Sequence, residues 1–182
     1  MTIPTTFVSL TRLIAMLAAG TFLLAAANGA STKGGVVEVP AALNPDKLSI
    51  FRVVSARGVQ VYTCTRNSAG TTGWILREPD AQLFDLQGNP VGKHYAGPTW
   101  EGLDGGKVVG KAKTSMPAPV DNAVPWLLLD AKSREGSGAF IQAKAIIRMG
   151  TTGGSAPGDG CDEARAGQEL RVPYTAMYVF LK

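Results

Sequence analysis

His94 is the only histidine in the chain, so any chemistry that needs an imidazole base or ligand must pass through it. It lies in the segment 92–101, with Tyr95, Trp100 and Glu101 close behind it and Asp104 just beyond. Pro98 and the flanking glycines kink this segment, and kinked loops are where polar groups converge on one spot. An imidazole, a phenol and a carboxylate together can hydrogen-bond a ligand or relay a proton. His94, Tyr95, Trp100 and Glu101 are therefore the candidate binding residues. In the plainer assignment Tyr95 and Trp100 pack, while His94 and Glu101 make structural hydrogen bonds. The two assignments differ in whether His94 faces a hollow.

Other reaction classes find less support. No G-x-S-x-G elbow is present, and Gly136-Ser137-Gly138 lacks the spacing. One histidine and two cysteines leave too few soft ligands for a transition metal, so neither a metal nor a cofactor is expected. Asp159, Asp162 and Glu163 have the oxygen chemistry of a calcium loop, but read as a solvated acidic turn. Glu101 with Asp104 or Asp121 has the residue types of a glycosidase pair, whose separation a sequence does not set. Trp74, Trp100 and Trp126 serve either as a stacking platform for a sugar ring or as core. Lys107, Lys111 and Lys113 share one strand face, and Lys144 and Arg148 another. Outward lysines of this kind ordinarily discourage edge pairing.

Arg12 followed by an apolar run over 13–27, ending in Ala25, Ala26 and Ala27, has the layout of a secretory signal. About fifteen apolar residues is short of the roughly 20 needed to span a bilayer. A cut before Asn28 leaves about 155 residues, enough for one domain with a real core. Without Arg12 the balance is 17 basic against 14 acidic side chains. That excess is far below the footprint of a nucleic-acid binder. Export leads to an oxidising compartment, where Cys64 and Cys161 are expected to pair. The expected address is secreted or periplasmic, with no stable membrane insertion after cleavage.

The elements that must position these residues are strands. Residues 28–35 read as a disordered lead-in, and 36–45 as an extended arm or a single helical turn. Strand-like runs cover 48–54, 59–66, 74–76, 81–85, 91–95, 107–114, 126–129 and 172–181, with turns at 55–58, 86–90 and 104–106. Ile141, Ala143, Ala145, Ile147 and Met149 alternate with Gln142, Lys144 and Arg148. That period of two places the first set on the core and the second in solvent or on a polar surface. Residues 151–160 form a glycine-rich loop, and 161–170 hold at most one or two helical turns. Together these make 36–182 a single all-β domain, an antiparallel β-sandwich or barrel with long glycine-rich loops.

Several motifs follow one another in a fixed order. They are Gly58-Val59-Gln60-Val61-Tyr62-Thr63-Cys64, His94-Tyr95-Ala96-Gly97-Pro98-Thr99-Trp100-Glu101 and Val124-Pro125-Trp126-Leu127-Leu128-Leu129. Gly153-Gly154-Ser155-Ala156-Pro157, Gly160-Cys161-Asp162 and Pro173-Tyr174-Thr175-Ala176 complete the set. The chain resembles a family of secreted bacterial and fungal proteins catalogued only as a domain of unknown function. That resemblance implies no activity and carries no catalytic residues. Some members bear a dehydrogenase label, yet no G-x-G-x-x-G follows a strand here. The expected role is binding or structural service outside the cytoplasm, toward a small molecule or a cell-surface glycan. The alternative is a hydrolase-like or lyase-like enzyme built on His94, Tyr95 and Glu101.

Overall fold

The computed structural model describes residues 37–66 and 68–182. The signal expected at 1–27 and the lead-in at 28–35 lie outside the described residues. Eight antiparallel strands make one sheet that closes into a barrel, each strand paired to its sequence neighbour and the last to the first. They are β1 Ile50–Arg66, β2 Thr72–Phe84, β3 Pro90–Tyr95, β4 Thr99–Gly102, β5 Lys107–Met116, β6 Trp126–Glu135, β7 Ala145–Gly153 and β8 Glu169–Leu181. Of sandwich and barrel, the chain takes the barrel. The arm before β1 contains one 3-10 turn, Ala41–Leu43. Among the described residues no helix is long and apolar enough to cross a membrane.

One expected turn is absent. Residues 55–58 lie inside β1, which runs without a break from Ile50 to Arg66. Gly58 answers a need for space there, because a Cβ would stand 2.1 Å from the Asp80 carbonyl oxygen. Only glycine lets β1 and β2 approach so closely. The runs at 74–76 and 81–85 likewise merge into β2, which carries a bulge opposite Val61 and Tyr62. The hairpin at 86–90 forms as expected. Asp85 braces it by accepting the backbone N–H of Gln87 at 2.9 Å and of Asn89 at 2.8 Å.

Alternate residues fill the lumen. Val54 and Ala56, Ala81 and Leu83, Trp100, Val108, Leu129, Ile146, Tyr174, Ala176, Tyr178 and Phe180 belong to one buried cluster. Phe140, from the 3-10 turn Ala139–Gln142, joins it with its ring 4.6 Å from Phe180. Asp104 holds that turn by accepting from the Ala139 N–H at 2.8 Å and the Gly106 N–H at 3.2 Å. The Ala139 bond is the main reason its carboxyl is held below the usual range.

β7 corrects the alternation expected of 141–149. Ile141 and Gln142 belong to the 3-10 turn and the strand starts at Ala145. Ile147 and Met149 are buried as expected, but outside the lumen cluster, which takes Ile146 instead. Arg148, expected in solvent or on a polar surface, shares the inward face with Ile146. The physical reason lies in the neighbours. Ile147 pairs with Leu128 and Val179, both buried on the outer side of the wall. A strand buried on both faces has no reliable phase in its sequence.

Candidate functional site

The short strands β3 and β4 leave a notch in the barrel wall. β3 begins its pairing with β2 only at Ala81↔His94. Residues 72–80 of β2 therefore pair with β1 alone, and Pro79 fits such an edge because it has no N–H to offer. β4 meets β5 over Lys107, Val108 and Val109, with one further bond from the Gly110 N–H to the Pro98 carbonyl at 2.9 Å. Beyond Gly110, β5 pairs with β6 alone. The turn carrying Gly97 and Pro98 spans the top of this gap. Behind it lies a cavity of about 300 Å³ lined by Gln60, Pro79, His94, Pro98, Leu127 and Arg148, among others.

His94 is 2% exposed. Its Nδ1 lies 2.7 Å from the Thr99 carbonyl oxygen. A carbonyl only accepts, so Nδ1 carries the proton and the other ring nitrogen keeps a lone pair. The ring stacks on Trp100, with centroids 4.4 Å apart and planes at 17°. Tyr178 leans on both, 4.9 Å from His94 and 5.2 Å from Trp100. Burial, foremost, lowers the His94 pKa to about 3, and the Arg148 charge pushes the same way against the Thr99 bond. The imidazole is neutral across the physiological range.

That depression has a measurable sign. An unfolded chain takes up the proton near 6.5, while the folded chain holds it off until about 3. Stability should therefore fall as pH drops below 6.5, by roughly 1.4 kcal/mol per unit, and return as pH rises. Between pH 6.5 and 5.5 carboxylates contribute little, so urea midpoints in that window isolate the histidine. His94→Gln should flatten the slope there; an unchanged slope would place the effect elsewhere.

Arg148 reaches the cavity from β7. Its Nε and Nη2 both donate to the Pro125 carbonyl, at 3.0 and 2.8 Å. No carboxylate among the described residues forms an ion pair with it. Its charge is felt by His94, Tyr62, Tyr174 and Tyr178. Tyr174 and Tyr178 face each other with hydroxyls 3.5 Å apart. Desolvation raises both phenol pKa values, so they stay protonated. Gln60 of β1 is 1% exposed, and neither its Nε2 nor its Oε1 has a partner among the described residues. A buried amide left so is costly.

The four residues singled out from the sequence divide between two faces of the wall. His94 and Trp100 are register partners and point inward. Tyr95 and Glu101 flank them and point outward, where the Tyr95 hydroxyl donates to Glu101 Oε2 at 2.5 Å. Lys93 sits 3.6 Å from the same carboxylate and 5.2 Å from the Tyr95 ring centre. The tyrosine bond first, and then the lysine charge, lowers the Glu101 pKa. Glu101 and His94 therefore do not converge, and Asp104 is engaged with the 3-10 turn. Trp100 is inside the barrel, so the three tryptophans make no common exposed platform.

Asp159, Asp162 and Glu163 do separate jobs in the loop before β8. The Asp159 carbonyl accepts from the Trp74 indole at 2.9 Å, Asp162 caps the Arg165 N–H at 3.0 Å, and Glu163 pairs with Arg66 at 3.0 Å. Among the described residues no group of three or more His, Cys, Asp and Glu side chains could hold a metal ion. Cys64 and Cys161 are bonded, tying this loop to the end of β1. The Tyr62 hydroxyl donates to the Gly154 carbonyl at 2.6 Å. Gly154 abuts Gln60 itself, whose Cγ would lie 3.2 Å from an added Cβ.

Gln60, Arg148, Tyr174 and Tyr178 were not singled out as site residues by their sequence. Gln60 sits between Val59 and Val61, where a polar residue reads as the solvent side of an alternating strand. Arg148 reads the same way. The only available signal was a glutamine in an otherwise apolar motif that ends in a cysteine.

Fold and site together define an antiparallel β-barrel with an apolar lumen and one polar, notched end. The chain belongs to the family described as protein of unknown function (DUF3455), whose profile matches residues 45–182. No curated protein and no solved structure matches it.

Proposed function

We propose that this protein is a binding module acting outside the cytoplasm, which takes a small molecule through the notch into the cavity beside His94. The observation that carries this reading is the Gln60 amide, almost wholly buried with both polar atoms unpartnered at the cavity wall. Buried polar groups are retained without partners where a ligand or water completes them. Leu127, Leu129, Pro79 and Pro98 supply the apolar walls usual in such sites. Binding is favoured over catalysis because His94 has committed its one proton to Thr99 and no carboxylate among the described residues pairs with it. An address outside the cytoplasm is supported by the bonded cysteines and by the signal-like run behind Arg12.

Gln60→Leu tests the reading without knowledge of the ligand. Removing an unsatisfied buried amide for an apolar group of similar size should raise the stability of the free protein by about 1–3 kcal/mol. Chemical denaturation of both proteins measures it. A destabilised Gln60→Leu would mean that the amide serves the fold, and the site would lose its main support.

A further inference from the structure

We infer that the cavity is built for a compact organic carboxylate, whose anionic head meets Arg148 and whose apolar body lies along Leu127, Leu129 and Pro79. The inference rests on the proposed binding role and adds the chemical class of the ligand. Three observations lead to it. Arg148 lines the cavity with no carboxylate among the described residues to neutralise it. The other charged residues on the rim are Arg77 and Glu78; Arg77 is held by Glu78 at 2.6 Å and by Glu169 at 2.8 Å. Among the charged residues that line the cavity, Arg148 is therefore the cation that no carboxylate of the described residues holds.

The donor set agrees with this charge. Two of the Arg148 nitrogens grip the Pro125 carbonyl, so the planar fork is held in place and its remaining N–H groups keep a fixed direction. The Gln60 amide supplies N–H donors that no other described residue uses. A guanidinium fork binds a carboxylate through short, charge-assisted bonds, and an amide N–H can add to them. The lone pair on His94 and the Gln60 carbonyl oxygen are acceptors, suited to a hydroxyl or N–H on the ligand body. A cation would meet Arg148 unscreened. The cavity volume, about 300 Å³, suits a molecule of one ring or a short chain.

The test compares matched probes on the intact, disulfide-bonded protein. Benzoate and hexanoate are titrated against benzamide, hexanamide and benzylamine, with affinity and the Gln60 side-chain amide signals followed by NMR. The carboxylates should bind roughly tenfold or more tightly than their amides, with the Gln60 signals shifting and benzylamine giving no response. Arg148→Met should abolish that preference, and Arg148→Lys should retain part of it, since charge survives without the fork. Because Arg148 also anchors Pro125, the wild-type comparison stands alone if a variant unfolds. Equal binding of carboxylates and amides at Gln60 would overturn the carboxylate assignment and leave the binding role intact. Silence from every probe at Gln60 would overturn both.

Discussion

Trp100→Ala should cost about 3–5 kcal/mol of stability, the range for truncating a large buried aromatic. Trp100 is 1% exposed and is the largest of the fully buried side chains. It stacks on His94, meets Tyr178 edge-on at 73° and lies 6.1 Å from Phe180. The barrel is shaped around it from the adjacent strand as well. Gly110 of β5 leaves room for the indole, since a Cβ there would stand 2.9 Å from its Cζ3. The surrounding wall is hydrogen-bonded on both sides and has little freedom to collapse into the space. Trp100→Phe keeps a ring over His94 and removes an indole N–H that has no partner, so it should lose clearly less. Urea unfolding of the three proteins gives the comparison. A loss under 1 kcal/mol for the alanine variant would mean that the lumen is not packed around the indole.

Removing the Cys64–Cys161 bond should be comparably damaging. The two residues are 97 apart in sequence, and closing a loop of that span restricts the unfolded chain by about 4–5 kcal/mol in the chain-entropy account. The double substitution Cys64→Ala/Cys161→Ala should lose most of that. Its unfolding should become indifferent to reductant, while the wild type should fall toward it when reduced. The loop before β8 should loosen first, because the bond ties it to the end of β1 beside Tyr62 and Gly154. The Gln60 amide signals should broaden in the same variant, because Gly154 packs against that side chain. A double variant as stable as the oxidised wild type would remove the loop from the list of elements that hold the site.

Much of the wall could be read from composition and spacing. The short apolar runs between glycine and proline clusters fall within the long strands, although β1 and β2 each read as two. The hairpin at 86–90 depends on Asp85 and its neighbours alone. The errors occurred where local signals are outweighed by distant ones. Gly58 reads as a breaker, and its real cause is the backbone of β2 on the adjacent strand.

The phase of β7 is a second such case. Ile147 and Ile146 are both buried, so the sequence contains apolar residues on both faces and only the closed sheet selects the lumen side. The same selection turned His94 and Trp100 inward and Tyr95 and Glu101 outward, separating residues that adjacency in sequence had grouped.

By itself the sequence determined the all-β class, the turn chemistry, a pair of cysteines with no other thiol to join, and one histidine flanked by aromatics. Those are consequences of residue type and short-range spacing. Tertiary structure alone decided closure, register and strand length. From these follow the notch below β3 and β4 and the meeting of Gln60, His94 and Arg148 from β1, β3 and β7. The physical reason is that a side chain on a doubly buried strand acquires its inside only when the barrel closes. Where two neighbouring strands stop short is likewise a matter of pairing partners far away in sequence.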